Sequence, residues 1–430
     1  MQTTPDEGLI RGIRRWDLVA ITINGIIGAG IFGLPSKVYA LIGTYSIFAF
    51  VACAFVVALI ILCFAEVGSR FNETGGPYLY ARKAFGPTAG FEVGWLIWLA
   101  RLTAFAANCN LLINYLGYFW PSATSTFWRP VLIIVVVGML TTINLLGVRQ
   151  TTIVSNGFTI GKLIPILIFV AAGLFFINPQ SYALGPPPPG GAFSQSVLLL
   201  IYAFTGFEMA AIPAGEIRDP QRDLPRALTI ALGVVAVLYI LVQIVCVGTL
   251  PELAQSQKPL ADAGAHFLGA AGGALISAGA IISITGNLNI LVLSGSRIPF
   301  AMAEQNQLPA FIGKVHHRFF TPWNAILISS LFMLLLTLKS SFVAALTISA
   351  IARLVTYATT CVSLQLFRRR TDVPKAAFHL PGGAMVSLLS IGLIVWLLAN
   401  STKEEALTTT IVGVVGLLFY AGYRFYSRPS

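Results

Sequence analysis

Charge is scarce in this sequence: Asp, Glu, Lys and Arg make up 10% of 430 residues, where an ordinary soluble domain carries about 25%. A soluble fold of this length would lack the polar surface it needs, and the composition excludes one. Cysteine (5) and histidine (4) are scarcer still. Cys53, Cys63, Cys109, Cys246 and Cys361 fall within apolar runs with no C-x-x-C pair, so they read as small apolar packers and not as a disulfide framework. His316 and His317 are adjacent and lack the H-E-x-x-H arrangement, and no G-x-S-x-G elbow occurs. The chain therefore offers no catalytic group for hydrolysis within a membrane. It reads as a non-enzyme without metal or cofactor.

Two glycine motifs imitate nucleotide sites. "GAGIFG", residues 28–33, fits G-x-G-x-x-G, but the region about 20 residues on, "FAFVACAFVV", has no acid to hold a ribose hydroxyl. "GFTIGKL", residues 157–163, has three residues where a Walker A loop has four, and Leu163 stands where Ser or Thr should hold magnesium.

What the chain does have is apolar length. Hydrophobic residues make up 56%, in twelve runs near 17–43, 45–68, 89–118, 130–147, 152–177, 194–216, 226–249, 270–300, 323–339, 342–367, 382–400 and 407–427. A run of roughly 20 residues crosses about 30 Å of hydrocarbon as helix. The expectation is an all-α integral membrane protein of twelve transmembrane helices in a lipid bilayer. With the N-terminus cytoplasmic, the inner loops hold most of the basic residues, from Arg11, Arg14 and Arg15 through Arg368, Arg369 and Arg370 to Arg424 and Arg428. The outer side holds only Arg129, Lys258, Lys339 and Lys403. That bias puts both termini inside. It also accounts for the net charge of +11 without nucleic acid, since scattered loops form no basic stripe. Arg14 and Arg15 imitate a twin-arginine leader, but eleven further spans and no small-residue cleavage site argue against removal.

The first span holds Gly25, Gly28, Gly30 and Gly33, followed by Pro35. Each glycine disfavours helix by about 1 kcal/mol and proline by more, so the span should break. Irregular backbone at membrane depth is tolerated only where it is buried in protein or lines a cavity. The free amides of Gly28, Ala29, Gly30 and Ile31, heading the outer half-helix, then suit an anion, with a carboxylate the natural guest. The alternative is that the glycines only permit close helix packing. A second broken span weighs against it: "IYAFTGFEMAAIPAGE", residues 201–216, sets Gly206 and Pro213 around Glu208 in the sixth span. Interrupted segments in matching positions of two halves point to an inverted-repeat transporter with a midplane site. The expected organisation is a cytoplasmic segment at 1–16, a first repeat at 17–177, an outer Pro/Gly loop at 178–193, a second repeat at 194–370, and two added spans with a short tail at 371–430.

Five ionisable residues fall within or at the edge of spans: Lys37, Arg101, Lys162, Glu208 and Arg353. A charge at midspan costs about 2.5 to 3.5 kcal/mol on insertion scales, so each needs a partner or a pathway. Glu208 either carries a proton or only bonds nearby backbone. Arg101 and Arg353 either tie helices through acidic partners, or Arg101 reads a substrate side chain. Gly86, Gly90 and Gly94 form a small-x-x-x-small series suited to helix approach.

"NGIIGAGIFGLP", "ETGGPYLYARKAFGP", "FTGFE" with "EIRDPQRDLPRA" after it, and "SGSRIPFAMAEQNQLP" followed by "TPWNA" resemble amino acid permeases of the amino acid/polyamine/organocation (APC) superfamily, from about residue 12 to 370. The resemblance implies a LeuT-type 5+5 inverted repeat with helices 1 and 6 unwound at midmembrane, and a secondary transporter that takes up amino acids with protons. An exchanger or exporter of the same fold is the nearest alternative; an ion channel or a receptor would not need paired breaks. By position, the amides of Ala29 and Gly30 take the substrate carboxylate, and the carbonyls of Ile26, Tyr202 and Thr205 take its ammonium. Alanine at 29, where some relatives carry serine, leaves the carboxylate to backbone alone. Tyr202 aligns with an aromatic that covers substrate, Phe204 and Gly206 complete the second segment, and Lys162 matches a lysine that replaces a coupling cation. That lysine either releases a proton or is a permanent pin.

Overall fold

Hydrocarbon offers a peptide group no hydrogen-bond partner, so a chain this apolar is driven to satisfy its backbone within helices. The computed structural model describes residues 13–146 and 152–426 apart from 72, 74, 213, 215 and 216, with backbone alone at 152–162, 424 and 426. The helices are α1 (Arg15–Ile26), α2 (Ala29–Ile42), α3 (Ser46–Gly68), α4 (Gly76–Phe85), α5 (Pro87–Leu116), α6 (Trp128–Leu145), α7 (Thr152–Gly173), α8 (Ala192–Phe204), α9 (Pro220–Thr249), α10 (Pro259–Glu304), α11 (Trp323–Lys339), α12 (Phe342–Arg369), α13 (Gly383–Ala399) and α14 (Lys403–Tyr426). Among the described residues eight helical stretches are long and apolar enough to cross a membrane, and Leu163–Phe176, Trp323–Lys339 and Gly383–Ala399 are shorter apolar helices. Among the described residues the one bridge outside helices is a parallel pairing of Ile13 with Ile217.

Each apolar run contains helix, the runs at 17–43 and 194–216 being interrupted, and two features go beyond the runs. Helix α4 was not expected: it is a short segment whose buried face carries Leu79, Tyr80 and Ala81 while Arg82 and Lys83 sit in its last turn, so it has too few apolar residues to register as a span. Helix α10 starts at Pro259, well before 270, and runs 46 residues with a kink at Gly269, whose φ of 71° only glycine adopts readily.

Burial sorts the helices into centre and rim. The most apolar stretch of α5 is 94% buried, against 28% for α6 and 17% for α14. Helices α10, α12, α11 and α4 pack around α5, and α3 packs on α9 and α8. The rim exposes large apolar side chains, among them Ile134, Val135, Leu388, Ile411 and Leu418, a surface that lipid can cover.

Two polar ties join helix ends in this bundle. At the start of α1, Arg15 Nε donates to Asp223 Oδ1 of α9 at 2.8 Å, and the Arg218 amide donates to the Ile13 carbonyl at 3.1 Å. At the end of α3, the fully buried Glu66 accepts two bonds from Arg368 of α12, 2.8 Å to Oε1 and 2.5 Å to Oε2. It also accepts from the Leu380 amide at 2.9 Å and from Arg70 at 3.3 Å.

Removing one partner of a buried ion pair strands the others and costs about 3 to 5 kcal/mol. We expect Glu66→Ala to lower the apparent melting temperature of detergent-solubilised protein sharply. Lys83→Ala, which breaks an exposed pair with Glu73, should leave it near wild type. Equal melting of the two variants would refute a central role for Glu66.

Candidate functional site

Both expected breaks exist. Helix α1 ends at Ile26, Ile27 and Gly28 are extended, and α2 starts at Ala29. Helix α8 ends at Phe204, Thr205 is extended, Gly206 has φ 113°, and a short 3-10 turn follows at Phe207–Ala211. Pro213 lies outside the described residues. The breaks touch: a Cβ on Gly25 would lie 3.0 Å from the Gly206 carbonyl oxygen. A Cβ on Gly30 would lie 2.6 Å from the Ala203 Cα. Glycine therefore serves close packing at 25 and 30 as well as irregular backbone at 206. A side chain at position 30 would therefore collide with α8.

Between the breaks lies a cavity of about 30 Å³, lined by Gly25, Ile26, Gly28, Ala29, Gly30, Tyr202, Thr205 and Gly206, with α5, α10 and α12 forming the far wall. On that measure about 10 to 15 Å³ holds one water, so the space is narrow. A separate vestibule of about 950 Å³ lies at the far end of α2, lined among others by Lys37, Arg129, Glu252, Asp262 and Phe342. Ile31 and Phe204 are buried but do not line the cavity; Phe204 instead packs edge-on against Tyr239 at 5.1 Å. Lys162 sits on α7, and its side chain lies outside the described residues.

Some of the cavity's carbonyls are already engaged. The Tyr239 hydroxyl donates to the Ile26 carbonyl at 3.2 Å. The Tyr202 carbonyl accepts from the Thr205 hydroxyl at 2.8 Å and its amide at 3.4 Å. Across the cavity, Asn108 Nδ2 donates to the Tyr202 hydroxyl at 2.5 Å, and Asn287 Nδ2 donates to Asn108 Oδ1 at 3.0 Å. Sequence reasoning missed both asparagines because it weighed only ionisable groups. A carboxamide inside an apolar run is itself a signal, and Asn108 falls seven residues after Arg101, on the same helical face.

Glu208 lies behind the second break and not in the cavity lining. Its Oε1 accepts from Arg353 and, at 3.5 Å, from Arg101. Its Oε2 accepts from the Tyr357 hydroxyl at 2.8 Å and the Gly206 amide at 2.9 Å. The two arginines thus tie α5 and α12 to the turn after Gly206 through one acid. Both also reach the cavity wall.

A family model described as amino acid permease matches residues 13–420. The chain is 29% identical over 437 residues to the serine/threonine exchanger SteT of Bacillus subtilis (strain 168), covering 98% of each chain. It is 26% identical to the methylthioribose transporter of that organism, over 97% of this chain and 94% of the relative. Its identity to the branched-chain amino acid permease BcaP of the same strain is 25%, over 98% and 94%.

Two glycine variants separate packing from cavity lining. Gly206→Ala meets both a positive φ and the Gly25 backbone, and should cost more than about 2 kcal/mol, seen as loss of monodisperse protein in size-exclusion chromatography. Gly28→Ala meets only the Asn287 side-chain end, 2.6 Å from the added carbon, at a φ of −123° that any residue adopts. It should fold normally. A well-folded Gly206→Ala would contradict the packed meeting of the breaks.

Proposed function

The chain belongs to the amino acid permease family, and on that premise we propose that it carries an amino acid across the cell membrane by alternating access, with uptake driven by protons. As a family member with apolar helices long enough to span a bilayer, it is an integral membrane transporter and not an enzyme. The observation that supports the finer reading best is the meeting of two helix breaks at one buried cavity. Free amides at the head of α2 favour an anion, and carbonyls at the ends of α1 and α8 favour a cation. An amino acid supplies both charges one carbon apart.

In this reading the amides of Ala29 and Gly30, flanked by Gly28 and Ile31, take the carboxylate. Carbonyls of Ile26 and Thr205 take the ammonium. The Ile26 oxygen keeps one lone pair beside its bond from Tyr239, whereas the Tyr202 oxygen is already shared by two donors from Thr205. The Tyr202 ring closes over the site. The twelve apolar runs act as twelve spans, 1–5 and 6–10 as inverted repeats, with both termini cytoplasmic. A bundle of spans 1, 2, 6 and 7 rocks against 3, 4, 5 and 8, and the vestibule beside Phe342 is the outer entry. Lys162 is the proton-coupling group. Glu208, with two arginines and two further donors on it, serves better as a fixed charge than as a proton carrier. A second reading, exchange of one amino acid for another, draws support from the exchanger named among the relatives.

Uptake of labelled amino acids into proteoliposomes, with and without an imposed pH gradient, tests transport and coupling together. The decarboxylated amine and the α-keto acid of the carried substrate should each compete roughly 5- to 150-fold less well than the parent, because each leaves a buried polar group unpaired. Equal competition by the amine would point to a polyamine carrier. Lys162→Ala should abolish proton-driven accumulation, the wild type rising as outside pH falls and the variant staying flat. Survival of counterflow in that variant would favour exchange; wild-type accumulation in it would reduce Lys162 to a structural pin.

A further inference from the structure

Charge does not balance behind the cavity. Arg101 and Arg353 are the charged side chains among its lining residues, and Glu208 is their one acidic partner among the described residues. All three are buried, with side-chain exposures of 5%, 6% and 4%. Two guanidiniums and one carboxylate leave one positive charge uncompensated. The helix ends do not supply the difference, since two carboxyl ends, of α1 and α8, meet two amino ends, of α2 and the turn after Gly206, and their partial charges largely cancel.

Hydrogen bonding tells the same story. Glu208 spends Oε2 on Tyr357 and Gly206 and gives Oε1 chiefly to Arg353. Arg101 is left with a 3.5 Å contact to that oxygen and a contact to the Met209 sulfur, a weak acceptor. Its Nε has no partner, which is equally true of Arg353 and of Arg70, so the difference lies in the terminal nitrogens. The cluster at Glu66 is an internal comparison, because it too joins one acid to two arginines. There the second arginine is served by carbonyls: Arg70 donates to Pro374 at 3.1 Å and to Phe367 at 3.4 Å. Among the described residues no carbonyl does this for Arg101.

The α-carboxylate and ammonium of any amino acid sum to zero, so a substrate with a neutral side chain would leave the surplus charge in a closed, dry site. We infer that the transported amino acid carries an acidic side chain and that Arg101, from the α5 wall, is the residue that reads it. The planar guanidinium matches a carboxylate through two parallel N–H donors, and one added negative charge neutralises the cluster. This rests on the amino acid reading above and deepens it.

Competition binding to the purified full-length protein in lipid at pH 7, free of any driving gradient, decides it. L-aspartate and L-glutamate should bind roughly 10- to 100-fold tighter than L-asparagine and L-glutamine, which match them in shape and lack the charge. In Arg101→Gln that ratio should fall toward one, and Arg101→Lys should restore part of it. Amides binding as tightly as acids in the wild type, or an unchanged ratio in a folded Arg101→Gln, would overturn the inference. Should Arg101→Gln fail to fold, the acid-to-amide ratio of the wild type decides alone. Binding of neutral amino acids without acid preference sinks this inference only. Failure to bind any of the common amino acids sinks the amino acid reading itself.

Discussion

A peptide group that leaves a helix inside hydrocarbon finds no water, and each unsatisfied N–H or C=O costs several kcal/mol. Departures at Ile27–Gly28 and Thr205–Gly206 are therefore possible only with protein around them. The arrangement follows from that need. Each break is lodged against the other, with Gly25, Gly30 and Gly206 allowing backbone to approach backbone. Helices α5, α10 and α12 close the remaining side with Asn108, Asn287 and Arg353. What lines the cavity is thus the same material that makes the breaks tolerable.

The second organising feature is the carboxylate of Glu208. Buried ion pairs are poor evidence of stability, because desolvation offsets most of the Coulomb attraction. Their geometric consequence is firmer. Arg101 on α5 and Arg353 on α12 are both drawn toward one acid on the turn after Gly206, and Tyr357, one helical turn after Arg353, adds a third attachment. The broken sixth span is thereby fixed to two central helices at the level where its own hydrogen bonding is interrupted. Phe207 and Phe64 stack edge-on at 5.2 Å beside this point, so the charges are sealed by aromatic rings.

The all-helical membrane character and the two interruptions were legible because apolar length and glycine placement are local properties. The breaks fall at Gly28 and Gly206, where helix is penalised locally, whereas Gly25, Gly30 and Pro35 stay helical. Partnerships were not legible. Nothing local links Glu208 to Arg353, 145 residues apart, or Tyr239 to Ile26, and only folding reveals that Phe204 turns to Tyr239 and away from the cavity. Helix α4 escaped notice for a different reason: its apolar face is too short to resemble a span. Asn108 and Asn287 were visible in the sequence but passed over, as uncharged polar residues are cheap enough in a helix to be overlooked.

The first and sixth broken spans meet twice. Gly25 abuts Gly206 at the breaks, and before the start of α1 Ile13 pairs with Ile217, with Arg15 bound to Asp223 close by. A single contact between two rods leaves them free to pivot about it. A second contact some distance along removes that freedom, so α1 is held both at Gly206 and at Ile217. A shift of α1 at the cavity would have to be matched where Ile13 meets Ile217.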